Sequence, residues 1–471
     1  MFERRSGREE QGEFWIEKGS VKMPRTAGFY GRLDQTLVEM GFAEKVWAAC
    51  EAAYRERGKG GRPGIDPVVY FKMLMVGFFE NLPSERAIAA RCEDSLSIRR
   101  FLGYGLEERT PEHSSLTVIR QRLGAEAYQR VFVIVLEALR GHGLLKGRHL
   151  GIDSSVIEAN ASLRSLVHRN TEQCYWEYVK KLAQEAGIDP GDAEAVRRFD
   201  KQRPGRRTSN KDWKNPHDPD AKIGRTKDGA CDMIYKPEVV SDLESGAIVA
   251  AEVLPGDQAD TMELSERVGS AVATIHEANH QAGRSAKVQS ITADKGYFAA
   301  EQIESMQDRE LRTIIGDRQA HRRRKENYTP QQWKAIQAAR RSIQSDSGKA
   351  LLKKRGMHLE RSFEHVLDEG GLRRATLRGS ENLTKRYRMA AACYNLSLLL
   401  RALCGIGTAK QWAAKAGSSI LWLIYRAWNI VMASITRPCL HPHAPLRSSP
   451  TSTHPGLDIQ KNQSAGSSTV Y

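Results

Sequence analysis

Three carboxylates stand in contexts where a carboxylate is unusual. Asp153 interrupts the apolar run His149-Leu150-Gly151-Ile152 and is followed by Ser154-Ser155-Val156-Ile157. Asp294 ends the run Val288-Gln289-Ser290-Ile291-Thr292-Ala293. Glu360 sits beside the stripe Leu359, Phe363, Val366 and Leu367, which repeats at helical spacing. A charge on or beside a buried strand is costly unless a cation or a hydrogen-bond network holds it. Each residue alone reads most simply as a solvent-facing strand or helix residue. Together they are the ligand type that phosphodiester chemistry requires. Two hard divalent cations, about 3.5–4 Å apart, neutralise the anionic substrate and activate the attacking oxygen. Mg²⁺ prefers oxygen donors and keeps several waters, so few carboxylates suffice.

Composition agrees with a polyanionic partner. The chain has 471 residues, 40% of them hydrophobic, a net charge of +15 and a pI near 9.5. That basic excess points to nucleic acid first, with an anionic membrane surface as the competitor. The N-terminus Met1-Phe2-Glu3-Arg4-Arg5-Ser6 lacks the apolar stretch of a signal peptide. The most apolar segment, Ile420 to Ile435, is interrupted by Arg426 and falls short of the roughly 20 residues a spanning helix needs. No membrane partner is therefore expected. The seven cysteines are scattered without CxxC spacing, which gives no support for a zinc site or a disulfide framework. Reduced thiols and a cytoplasmic, nucleoid-associated location are the simplest expectation.

The elements that must position the acids follow from local signals. Residues 1–65 read as an N-terminal extension ending in the Gly-rich break Gly58–Gly64. Asp66 as N-cap and Pro67 at the first helical position open a helical region over 66–145. Its short helices carry Arg99, Arg100 and Arg120 and suit either a helix-turn-helix-like DNA contact or plain helical packing. A catalytic α/β domain is expected over 146–410, interrupted by insertions at about 160–225 and 317–357, the second strongly basic. Its order of strand, hairpin over 232–254, helix, strand, helix and strand is that of a mixed sheet flanked by helices. The helix bearing Glu360 is expected to start near His358 and stop at Gly370-Gly371. A C-terminal helix over 411–437 and a disordered Pro- and Ser-rich tail over 438–471 complete the expectation.

These residues carry a resemblance. The chain resembles a DDE-type transposase of a bacterial insertion sequence, in the group where a helical domain precedes the catalytic one. The motifs in order include Gly60-Gly61-Arg62-Pro63, Ser84-Glu85-Arg86-Ala87-Ile88-Ala89, Thr110-Pro111-Glu112-His113-Ser114-Ser115 and Asp153-Ser154-Ser155. They continue with Asn215-Pro216-His217-Asp218-Pro219-Asp220-Ala221, Ala293-Asp294-Lys295-Gly296-Tyr297, Leu359-Glu360-Arg361-Ser362-Phe363 and Leu377-Arg378-Gly379. The resemblance spans about residues 60–410. It implies a ribonuclease-H-like catalytic domain with Asp153, Asp294 and Glu360 as its acids and metal ligands. It implies Mg²⁺ as cofactor, two ions with Mn²⁺ as a substitute. It also implies binding to the element's terminal inverted repeats and to target DNA, as a homodimer or higher oligomer. Phosphate contacts are expected from Arg99, Arg100, Arg120, Arg355, Arg361, Arg373 and Arg374. The Tyr and Lys that often accompany the last acid are missing here, and Glu364, one turn on, competes with Glu360 for the third position. Two other readings stay open, a DNA-binding remnant without catalysis and a structure-selective nuclease on the same fold.

Overall fold

The structure is a computed structural model that describes residues 27–55, 64–204, 209–281, 283 and 287–415. Helices come first: α1 (Ala27–Glu39), α2 (Phe42–Arg55), α3 (Pro67–Phe79), α4 (Glu85–Asp94), α5 (Leu96–Leu102), α6 (His113–Arg122) and α7 (Ala125–Gly141). Asp66 starts α3 as the sequence signals suggest. Its carboxylate accepts the Val68 amide and the Trp47 indole N–H, both at 2.8 Å, and Pro67 takes the first helical position.

The chain then enters β1 (His149–Ser154) and β2 (Ile157–Glu158) and leaves the sheet for an excursion. That excursion holds β3 (Val167–His168), α8 (Tyr175–Glu185), α9 (Ala193–Gln202) and β4 (Trp213–Lys214). It returns through β5 (Lys222–Arg225) to the long strand β6 (Cys231–Asp242), then β7 (Ile248–Pro255), α10 (Leu264–Gln281), β8 (Ser290–Ala293), α11 (Ala300–Asp308) and β9 (Arg312–Ile315). Last come α12 (Pro330–Gln344), α13 (Asp346–Phe363) with a π-helical extension over Glu364–Asp368, and α14 (Ser380–Cys404).

Five strands lie side by side in the order β7-β6-β1-β8-β9. β6 runs antiparallel to β7 and β1, while β8 runs parallel to β1 and β9. Three antiparallel strands continued by two parallel ones form a ribonuclease-H-like sheet. β1 lies in the middle of it and is buried on both faces. Leu150 and Ile152 are fully buried on one. On the other, a Cβ on Gly151 would lie 2.6 Å from Leu243, which follows β6, and 3.2 Å and 3.3 Å from Leu359 and Arg355 of α13. Glycine here leaves room for Leu243 and lets the helix bearing Glu360 settle closely on the strand bearing Asp153.

α14 packs against β7 and against α7. Its Asn395 amide accepts from the Ile248 N–H at 2.9 Å and donates to the Ile248 carbonyl at 2.7 Å. One side chain thus satisfies both backbone groups at the start of an outer strand. The stretch Ser380–Lys415 is apolar and long enough to cross a bilayer, but most of it is buried within the fold as a core helix.

Several sequence expectations change. Residues 27–55, read as extension, are α1 and α2, whose Phe29, Tyr30, Leu33 and Trp47 are buried. The buried core is continuous from Phe29 to Ala409, because α3 and α7 both pack on α14. The helices of the 66–145 region thus share a continuous buried core with the sheet. The basic stretch 317–357 is largely α12 and the first turns of α13. α13 begins at Asp346 under a Ser345 cap, not at His358. Two glycines and a run of charges mask its periodicity, which shows only through buried Leu351 and Leu359. A short helix begins at 409, and most of the expected 411–437 helix, with Ile420–Ile435 and the 438–471 tail, lies outside the described residues.

The contact at Gly151 is testable by overpacking. Gly151→Ala is expected to destabilise the fold by about 1–3 kcal/mol, read as a lower urea midpoint than wild type. An unchanged midpoint would mean that Leu243 and α13 do not pack on β1 this tightly.

Candidate active site

β1 and β8 pair in parallel, with Leu150 opposite Ile291 and Gly151 opposite Thr292. Two residues further in the same register come Asp153 and Asp294, at neighbouring strand ends. Neighbouring strands are about 4.8 Å apart, so the pairing brings together two acids that lie far apart in sequence. Asp294 is half exposed and caps a 3₁₀ turn over Lys295–Tyr297, accepting the Lys295 amide at 2.6 Å. Asp153 is more enclosed, and its side chain is 26% exposed.

Charge around Asp153 is unevenly balanced. Burial pushes its carboxyl from an ordinary 3.8 to about 6, and the like charges of Asp294 and Asp260 push the same way. Arg355 on α13 opposes them, with its guanidinium 2.7 Å from Asp153 Oδ2, and the Ser154 amide donates at 3.0 Å. Arg318 approaches Asp294 at 3.9 Å. Neighbouring carboxylate oxygens are the donor type that hard divalent ions prefer, and in this structure Arg355 takes up Asp153 Oδ2.

Glu360 lies on α13 immediately after Leu359, the residue that rests on Gly151. It is exposed, and among the described residues it forms no hydrogen bond or ion pair with either aspartate. Glu364 starts the π-helical extension and is exposed as well. Among the described residues no three acidic, His or Cys side chains are gathered closely enough to hold an ion as they stand. Asp153 and Asp294 stand together, and the helix that bears Glu360 packs over the same strand.

Arg99 and Arg120 correct the expected phosphate contacts. Arg99 is 8% exposed and donates to the carbonyls of Glu93, Gly105, Leu106 and Glu108, closing the loop after α5. Arg120 is 9% exposed and pairs with Glu85 at 2.8 Å between α6 and α4. Both were read as surface residues because a helix end rich in arginine looks solvated in sequence. Arg373 is partly engaged, holding Asp368 and the Ser155 hydroxyl at 2.9 Å, and so ties the end of the α13 extension to the strand bearing Asp153. Arg100, Arg361 and Arg374 are exposed.

A fourth acid escaped the sequence reading. Asp260, in the turn after β7, accepts the Ser154 hydroxyl at 3.0 Å and meets Lys236 at 2.5 Å. Its Oδ2 stands 3.1 Å from where a Cβ on Gly296 would be, beside the turn of Asp294. The available signal was an Asp just past the end of a strand, which reads equally as the start of α10.

A mixed sheet of this order, with Asp153 and Asp294 side by side at neighbouring strand ends, defines the class of fold as ribonuclease-H-like. Comparison with known families narrows it. Residues 22–122 match the Transposase domain (DUF772) and residues 204–396 match the Transposase DDE domain. With the two matches in that order, the chain belongs to the DDE-type transposases of insertion sequences. Asp294 and Glu360 fall within the second match, and Asp153 precedes it. No curated protein matches the chain. The solved Mos1 transposase paired-end complex with left transposon end is similar at 12% identity, over 67% of this chain and 82% of that one. Its TM-score of 0.18 is too low to carry an argument.

The proton balance of Asp153 has a readable consequence. Its folded value lies above its unfolded one, so the stabilisation it contributes is full below pH 3.8 and is lost as pH rises through about 6. Between those limits, metal-free wild type is expected to lose stability relative to Asp153→Asn by up to ~1.4 kcal/mol per pH unit. Thermal melts of both proteins from pH 4 to 8 measure the difference. A difference that stays constant, or grows in favour of wild type with rising pH, contradicts the assignment.

Proposed function

We propose that this transposase binds the terminal inverted repeats of its insertion sequence and catalyses metal-dependent DNA cleavage and strand transfer, with Asp153, Asp294 and Glu360 as its catalytic acids and metal ligands. The observation that supports the reading best is the parallel pairing of β1 with β8, whose register brings Asp153 and Asp294 side by side at neighbouring strand ends. Bound there, a pair of Mg²⁺ ions, or Mn²⁺ in their place, would supply charge neutralisation and an activated attacking oxygen. Asp153 and Asp294 supply fixed oxygen donors from a rigid sheet. Glu360 supplies the third from α13, the helix that Leu359 seats on Gly151.

The cations around these acids suit the other half of the task. Arg355 and Arg318 already lie against the aspartates, and exposed Arg361 and Arg374 follow Glu360 in the chain. Such groups contact backbone phosphates with a salt-dependent affinity. Arg100 extends the same chemistry to the N-terminal helices, for which we propose a role in gripping double-stranded DNA. A homodimer or larger assembly on paired ends, acting on target DNA in the cytoplasm, completes the proposal.

Strand transfer of a linear DNA carrying the native inverted repeats, in Mg²⁺, tests it. Wild type is expected to cleave and join, and Asp294→Ala to lose on the order of 10²-fold or more in rate, with DNA retention in a gel shift unchanged. Equal rates for the two proteins would remove the catalytic assignment. Binding without chemistry in wild type would instead support an inactive remnant, and cleavage without joining a nuclease.

A further inference from the structure

The turns that carry Asp153 and Asp294 are both tied to one buried ion pair that touches neither acid. Glu238 on β6 stands opposite Ser154 in the β1–β6 register and is 4% exposed. Arg267 on α10 grips its carboxylate with Nε at 2.7 Å and a terminal nitrogen at 3.1 Å. Burial still raises the pKa of Glu238 against that opposing charge. A buried pair of this kind contributes little net stability over well-packed apolar residues. Its remaining hydrogen bonds indicate what else it does.

Arg267 also donates to the carbonyls of Asp260, at 2.9 Å, and Met262, which fixes the turn between β7 and α10. That turn aims the Asp260 carboxylate at the hydroxyl of Ser154, the residue after Asp153. On the other side, the Tyr297 hydroxyl donates to Glu238 Oε2 at 3.1 Å. Tyr297 is 1% exposed and closes the 3₁₀ turn that Asp294 caps. A rigid chain of contacts thus runs from Ser154 through Asp260, Arg267 and Glu238 to Tyr297.

We propose that Glu238, Arg267, Asp260 and Tyr297 form a positioning network that holds Asp153 and Asp294 at the separation divalent cations require. The inference rests on the metal-site reading above. The β1–β8 ladder stops at Gly151 and Thr292, Asp153 keeps its pairing only to β6, and Asp294 lies past the end of β8, so backbone pairing does not fix one acid against the other. Side-chain orientation there must come from outer contacts, as it does for metal ligands generally.

Mn²⁺ binding to the full-length protein, followed by the electron paramagnetic resonance of free Mn²⁺, tests the network without DNA. The double variant Glu238→Leu with Arg267→Met is expected to fold with an unchanged or higher thermal midpoint and to bind Mn²⁺ about 10–100-fold more weakly. Tyr297→Phe, which removes one hydroxyl, is expected to weaken binding several-fold and carries the test if the double variant does not fold. Wild-type Mn²⁺ affinity in the folded double variant, or in Tyr297→Phe where that variant is used, overturns the network. Asp153→Asn is the control. If it binds Mn²⁺ as wild type does, the metal-site reading falls and the network with it. If it is defective while the network variants are not, the network alone is wrong.

Discussion

The parallel ladder between β1 and β8 is the constraint on which the site depends. Parallel pairing cannot be made by a hairpin and needs a long crossover. Here β6, β7 and α10 intervene, with the excursion through α8 and α9 ahead of them, and the strand register converts that separation into adjacency. A slip of one residue in β1 would turn Asp153 to the opposite face of the sheet. The register is held from both faces, by fully buried Leu150 and Ile152 on one and by the Gly151–Leu359 contact on the other. The geometry of the acids thus follows from packing in the core.

Electrostatics then determines what those acids can do. Asp153 is enclosed enough for burial to outweigh the cation beside it. Asp294, half exposed, remains accessible at the rim. Arg355 neutralises the inner acid from the same helix that carries Glu360, so one element brings both a counter-charge and the third proposed donor. The net charge of +15 favours the approach of polyanions from a distance.

Much of the scaffold was legible because its signals are local. The Asp66-Pro67 helix start, the β6–β7 hairpin around Ser245-Gly246, and strands ending at Asp294 and Ile315 all depend on residues a few positions apart. α13 was read only from His358 onward, because its first turns are basic and glycine-bearing and their few apolar contacts come from β9 and Leu243. Arg99 and Arg120 look alike in sequence to exposed Arg100. Only the fold shows that the first is used up by carbonyls and the second by Glu85. Asp260 and Glu238 carried no motif, since their partners Ser154, Tyr297 and Arg267 come from other elements.

By itself the sequence determined the residue types: acids within or beside apolar runs, a basic surplus, helices ahead of a mixed sheet, and the order of motifs that marks the family. Those are properties of composition and of short-range periodicity. The tertiary structure decided which acids meet, which arginines are spent on the interior, and that the N-terminal helices share one core with the sheet. These outcomes depend on strand register and side-chain burial, which arise only when segments distant in the chain exclude water from one another.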